Sequence, residues 1–139
     1  MKLNIQTVDD LAAEALAQAK QSARQTMLAT LSRAADAITG PVPQAERDSW
    51  STKEAAARAY AAETATTEQA AMLSAESAVT GEAVADLAAS IVAKANAYAG
   101  FAATMAGLRR ITTNAIDGAT TPDEAQAALG PLQAALTNS

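Results

Sequence analysis

The chain contains neither cysteine nor histidine. Disulfides, thiolate nucleophiles, Cys/His zinc sites and Ser-His-Asp triads are thereby excluded. A di-iron bundle is excluded on the same ground, since its Glu-x-x-His pairs need histidine. Aromatic residues make up 3% of the chain, and Trp50, Tyr60, Tyr98 and Phe101 are all of them. No glycine-rich phosphate loop occurs. Basic residues, ten against fifteen acids, leave a net charge of −5 and a pI near 4.6. That balance argues against nucleic acid as a partner, because phosphate binding needs a basic face. Between Met1 and Asp10 a lysine is followed by acids where a signal peptide would carry its apolar core, so no secretion signal is read.

Half of the 139 residues are hydrophobic, and alanine supplies most of them. Alanine buries little area, so at about 25 cal/mol per Å² each helix gains weakly from its core. Close backbone approach, or burial between copies, has to supply the rest. Glu82 to Gly118 is the stretch around which the chain is organised. It has no proline, and Val84, Leu87, Ile91, Tyr98, Met105, Leu108 and Ile116 recur at helical spacing, with Ala95, Ala102 and Thr112 between them. A helix of that length runs roughly 55 Å and needs other helices laid along it.

A second long helix is expected over 8–38. Thr7 offers an N-cap hydroxyl with Asp9 and Asp10 in the first turn, and Leu16, Ala19, Ala23, Met27, Leu31, Ala34 and Ile38 continue one stripe to Gly40-Pro41. Lys20, Arg24 and Arg33 share this helix with several acids and read as a solvated mixed face. Shorter helices are expected over 43–63, 67–79 and 122–136. The first has Pro43 as its first residue, a kink or restart around Trp50, and a Glu54–Arg58 pair at i, i+4. The second is capped by Thr67. The third opens at Thr121-Pro122-Asp123-Glu124 and is interrupted at Gly130-Pro131 before a last turn through Leu132 and Leu136. Residues 1–6, with Leu3 and Ile5 alternating, read as a short extended arm, and 7–139 as one helical domain. The fold class is all-α, an elongated bundle or coiled-coil-like hairpin of the two long helices with the shorter ones alongside.

Candidate sites are few. Leu87 to Leu108 carries one charge, Lys94, and is long enough to span a bilayer. Its alanine-rich middle, with Ser90, Asn96 and Thr104, favours a buried helix in a soluble bundle. The adjacent acids Asp9/Asp10 and Asp123/Glu124, and the Glu82/Asp86 pair, sit at helix starts, where capping explains them. No catalytic, cofactor-binding or metal-binding residue is assigned, and no cofactor is expected. Trp50, Tyr60, Tyr98 and Phe101 are the bulky residues of an alanine-filled core, or partner anchors in the case of Trp50. Arg109-Arg110 reads as exposed.

The segment from Pro43 to Tyr60, with its Ser49-Trp50-x-x-Lys53-Glu54-x-x-Ala57-x-Ala59-Tyr60 core, resembles a helical domain of tailed-bacteriophage tail-fibre and tail-fibre-assembly proteins. The resemblance continues through Thr80-Gly81-Glu82, Ile91 to Tyr98, Gly107-Leu108-Arg109-Arg110 and Ala119-Thr120-Thr121-Pro122, covering roughly Leu31 to Leu136. Members of that family often carry a β-rich or fibre-attachment region ahead of the helices. Here only residues 1–6 precede the first helix. The resemblance implies a virion structural protein of the tail or tail-fibre region, assembled in the host cytoplasm. Its partners would be copies of itself and phage tail or fibre proteins, without nucleic acid or membrane. It carries no catalytic residues to this chain. An assembly chaperone absent from the finished particle, and an amphipathic coat on a lipid or polymer granule, are the alternatives.

Overall fold

The computed structural model describes residues 7–137, and they contain helices and no strand. Six helical segments follow one another: α1 (Val8–Thr39), α2 (Gln44–Ala61), α3 (Thr67–Thr80), α4 (Val84–Asp117), α5 (Pro122–Ala127) and α6 (Gly130–Thr137). The arm expected over residues 1–6 lies outside the described residues.

The ends of these helices follow from their side chains. Thr7 and Asp10 cap α1 reciprocally, each backbone N–H donating to the other's side-chain oxygen at 3.1 Å. At α3 the cap is Thr66 rather than Thr67: its hydroxyl accepts from the Gln69 N–H while Gln69 Oε1 accepts from the Thr66 N–H. Only the threonine three residues before a glutamine can form that pair. Pro43 is likewise not the first helical residue. Its ψ of 144° is extended, and it caps α2 from outside. The kink or restart expected near Trp50 does not interrupt α2, which runs from Gln44 to Ala61, and the Ser49 hydroxyl donates to the Glu46 carbonyl (2.7 Å). The 122–136 helix divides at Ala128–Leu129. Pro131 lies in the first turn of α6, where a missing N–H costs nothing, so it starts a helix rather than ending one.

α2 ends in a Schellman motif, with the Glu63 N–H on the Tyr60 carbonyl and the Thr64 N–H on that of Ala59. The left-handed position is held by Glu63, at φ 61°, whereas α3 ends on Gly81 at φ 81°. A side chain there costs about 1 kcal/mol. Glu63→Gly is therefore expected to stabilise by about 1 kcal/mol, raising the thermal midpoint by roughly 5 °C in circular dichroism.

The chain forms two compact units. One consists of the residues up to Ile38 and from Ala103 onward, the other of Thr39–Ala102, so α4 contributes to both. In the first unit, Ala23, Met27 and Leu31 of α1 meet Ile116 of α4 and Leu129 and Leu132, with Met105, Leu108, Ala128 and Leu136 packed against them. Contacts between α1 and α4 run in opposite senses, from Lys20 and Arg24 at Asp117 to Met27 at Thr113. Thr112 is 2% exposed there, and its hydroxyl has no hydrogen-bond partner among the described residues. In the second unit, Leu73 of α3 sits among Ala56 and Ala57 of α2 and Ala88 of α4. Tyr60, Met72, Val84, Ile91 and Val92 surround this cluster. Lys53 Nζ meets Glu76 Oε2 at 2.7 Å and ties α2 to α3.

The two expected stripes therefore separate. That of α1 is half-buried or buried from Leu16 to Ala34 and ends at an exposed Ile38. That of α4 is buried at Leu87, Thr112 and Ile116 but exposed at Tyr98 and Ala102, because the residues between are too small to make a core.

Candidate functional site

All four aromatic residues lie in the second unit, and three of them gather on α2 and α4. Trp50 meets Tyr98 edge-on, with ring centroids 6.4 Å apart and planes at 68°. Tyr98 lies 6.5 Å from Phe101, one turn along α4. Such edge and tilted arrangements place the positive rim of one ring toward the negative face of the next. Trp50 and Phe101 are half-buried and Tyr98 is 43% exposed, so none of the three belongs to the closed core. Tyr60, also half-buried, packs instead against the Leu73 cluster. The sequence offered a core or a partner role for these residues. The structure puts Tyr60 beside the core and the other three on a partly exposed aromatic patch.

Arg58 and Arg47 of the same unit each donate to partners of their own. Arg58 donates from Nε and Nη2 to Glu54 Oε1 at 3.1 and 2.9 Å, the i, i+4 pair expected from sequence. It also reaches Asn96 Oδ1 at 2.7 Å, joining α2 to α4 in a way no local pattern reveals. Arg47 donates from Nη2 to the Gly40 carbonyl at 3.2 Å, and its buried Nε has no hydrogen-bond partner among the described residues.

In the first unit, Lys20 and Arg24 are not simply solvated. Lys20 Nζ donates to the Asp117 carbonyl at 2.9 Å, and Arg24 Nη2 to Asp117 Oδ1 at 2.7 Å. Two cations at the C-terminal end of α4 suit its dipole and satisfy a terminal carbonyl. Both partners of the ion pair are about half exposed, which limits its worth to under about 1 kcal/mol. Arg33 lines an open groove of about 500 Å³ with Thr26, Thr30, Gln133, Leu136 and Thr137. Two of the groove's hydroxyls turn inward, Thr30 onto the Thr26 carbonyl and Thr137 onto that of Gln133.

The paired acids occupy caps. Glu124 Oε2 accepts from the Thr120 N–H (2.7 Å) and hydroxyl (2.8 Å), and the Glu124 N–H donates to Thr121 Oγ1 (3.1 Å). The Thr120 backbone bond, then its hydroxyl, hold the Glu124 carboxyl below its ordinary value of 4.5. A carboxylate with a lowered folded pKa contributes stability above the unfolded value, and that stability fades as pH falls through the folded pKa. Glu124→Gln is accordingly expected to lower the melting temperature at pH 7. The difference from the parent shrinks steadily below about pH 4.5 in a pH series of thermal melts. Glu82 stands just before α4, its carbonyl accepting from the Ser77 hydroxyl, while Asp86 lies in the first turn. Among the described residues no group of three or more acids could hold a metal ion. Arg109 and Arg110 are exposed.

No helix of the described residues is long and apolar enough to cross a membrane. No protein-family model, curated protein or solved structure matches the chain.

Proposed function

We propose that the chain is a structural protein of a tailed-phage particle, in the tail or tail-fibre region, acting by helix-mediated assembly with its own copies and with tail or fibre proteins. The place in the particle rests on the resemblance of the Trp50–Tyr60 segment and the Thr120-Thr121-Pro122 turn. The mode of action rests on one observation about burial. Half of the chain is hydrophobic, yet the buried apolar residues among those described number thirteen, six of them alanine. Val8, Leu11, Leu28, Ile38, Val79, Tyr98 and Ile111 stay between 43% and 88% exposed. Each is unremarkable singly. Together they leave apolar side chain for neighbouring subunits to cover, and an alanine-lined helix lets a neighbouring backbone come close. In the assembled state the two long helices would pack along each other or along those of copies in the manner of a coiled coil.

Mass spectrometry of purified particles made by a phage encoding this chain tests the reading. The chain is expected there in amounts proportional to the tail components. Its presence in the infected-cell lysate but not in the particle would replace a structural role with that of an assembly chaperone. Sedimentation of the purified chain is expected to show mass rising with concentration, and a folded monomer at every concentration would remove self-assembly from the proposal.

A further inference from the structure

Of all the aspartates and asparagines in the chain, Asp117 alone precedes a glycine. That pair carries chemistry of its own, because a glycine nitrogen has no neighbouring side chain to block its approach to the preceding carboxyl. The Gly118 nitrogen can attack Asp117 Cγ, forming a C–N bond while the amide proton and a carboxyl hydroxyl leave together as water. Water then opens the five-membered succinimide at one of its two carbonyls. Opening at Cγ restores aspartate. Opening at the main-chain carbonyl gives isoaspartate, whose backbone runs through Cβ and Cγ. Neither oxidant nor enzyme is needed, and the mass is unchanged.

Both reacting groups are engaged within the first unit. Arg24 Nη2 holds Asp117 Oδ1 at 2.7 Å, and Lys20 Nζ holds the Asp117 carbonyl at 2.9 Å. The Gly118 N–H donates to the Asn114 carbonyl at 3.0 Å. Closing the succinimide ring turns the Asp117 ψ away from its helical value, so that bond and the Arg24 contact must both give way. Asp117 is nevertheless the last residue of α4, and its side chain is 54% exposed, so this end opens more readily than the core. Nothing in the fold demands glycine at 118. Its φ is not left-handed, and a Cβ there would make an ordinary contact, 3.4 Å from the Asn114 carbonyl oxygen.

We infer that Asp117–Gly118 is a site of spontaneous isoaspartate formation, and that Arg24 and Lys20 are positioning residues that keep it as aspartate while the first unit is closed. The added backbone carbon falls between Ile116 and the Leu129–Leu132 pair, which share one core, so conversion alters the link that closes that core. This chemistry is independent of which particle or partner the chain serves.

Prolonged incubation of the purified full chain in neutral buffer, followed by peptide mapping for isoaspartate, tests this. Conversion is expected at residue 117 ahead of Asp48, which precedes a serine. Unfolding in urea is expected to speed conversion at 117 on the order of tenfold. Arg24→Gln is expected to speed it about threefold in the folded chain and not at all in urea, with Arg24→Lys restoring most of the protection. Gly118→Ala loses the signal at 117. Circular dichroism checks that each variant is folded. Equal conversion in the folded and unfolded parent, no excess at 117 over Asp48, or an Arg24→Gln rate equal to the parent's would overturn the inference.

Discussion

Leu73→Ala is expected to destabilise the second unit by about 3–4 kcal/mol. Leu73 is fully buried, and its nearest buried companions are Ala56, Ala57 and Ala88. Large-to-small substitutions lose the transfer energy of the deleted methyl groups and then pay for whatever space stays empty. Alanines cannot swing into that space, since they have no side-chain torsion to turn. Only the partly buried Tyr60, Met72, Val84, Ile91 and Val92 at the edge can move inward, so most of the cavity persists. Trp50 fluorescence during urea unfolding reports on this unit directly. The midpoint should fall with little change in slope, and a shift worth less than about 1 kcal/mol would mean that Leu73 does not carry the cluster.

Ile116→Ala is expected to cost about 3 kcal/mol, toward the low side of its range for a physical reason. Ile116 is fully buried against Met27, Leu129 and Leu132. Met27 is unbranched and can slide part-way into the vacated volume, so the residual cavity is smaller than at Leu73. A thermal midpoint lower by on the order of 15 °C in circular dichroism is the expected result. A double variant with Met27→Leu separates the two contributions. The stiffer leucine cannot relax, and the combined loss is expected to exceed the sum of the single losses.

Much of the secondary structure can be read from the sequence because its signals are local. Thr7 with Asp10, Thr121 with Glu124, and the Gly81 stop each lie within a few residues of the backbone they satisfy. The same locality explains the one-residue displacement at Thr66. Two adjacent threonines offer the same hydroxyl, and only the Gln69 side chain, reaching back three positions, chooses between them. Pro131 reads as an interruption in the sequence yet lies in the first turn of α6, because proline both ends helices and begins them and the next residues decide which. Tertiary contacts were not legible. Nothing near Lys20 or Arg24 indicates that Asp117 is their partner, and nothing near Arg58 indicates Asn96.

Periodicity showed which face of α4 is apolar but not how much of that face is covered. Val84 and Ile116 sit at equivalent positions on the stripe with Tyr98 between them, yet Tyr98 is 43% exposed and Ile116 fully buried. The stripe marks residues able to enter a core, and burial depends on whether a neighbour is bulky enough to meet them. Met27 is buried, whereas Ile91 and Met105 are half-buried, which follows that rule. The aromatic patch could be anticipated only as a short roll of scarce residues. That Trp50, Tyr98 and Phe101 converge and Tyr60 does not depends on how α2 lies against α4.

The first unit is assembled from two stretches of chain far apart in sequence, and its contacts join Lys20 to Asp117 and Met27 to Thr113 across separations of 97 and 86 residues. During synthesis on the ribosome, α1 emerges long before the segments that shelter it, while everything needed for the second unit is already outside the exit tunnel. Residues 39–102 can thus close first, and by drawing the two flanks together they shorten the remaining search. Until α5 and α6 appear, Ala23, Met27 and Leu31 have no lasting cover, and that interval is when a nascent chain of this design is most open to capture by chaperones or by other copies of itself.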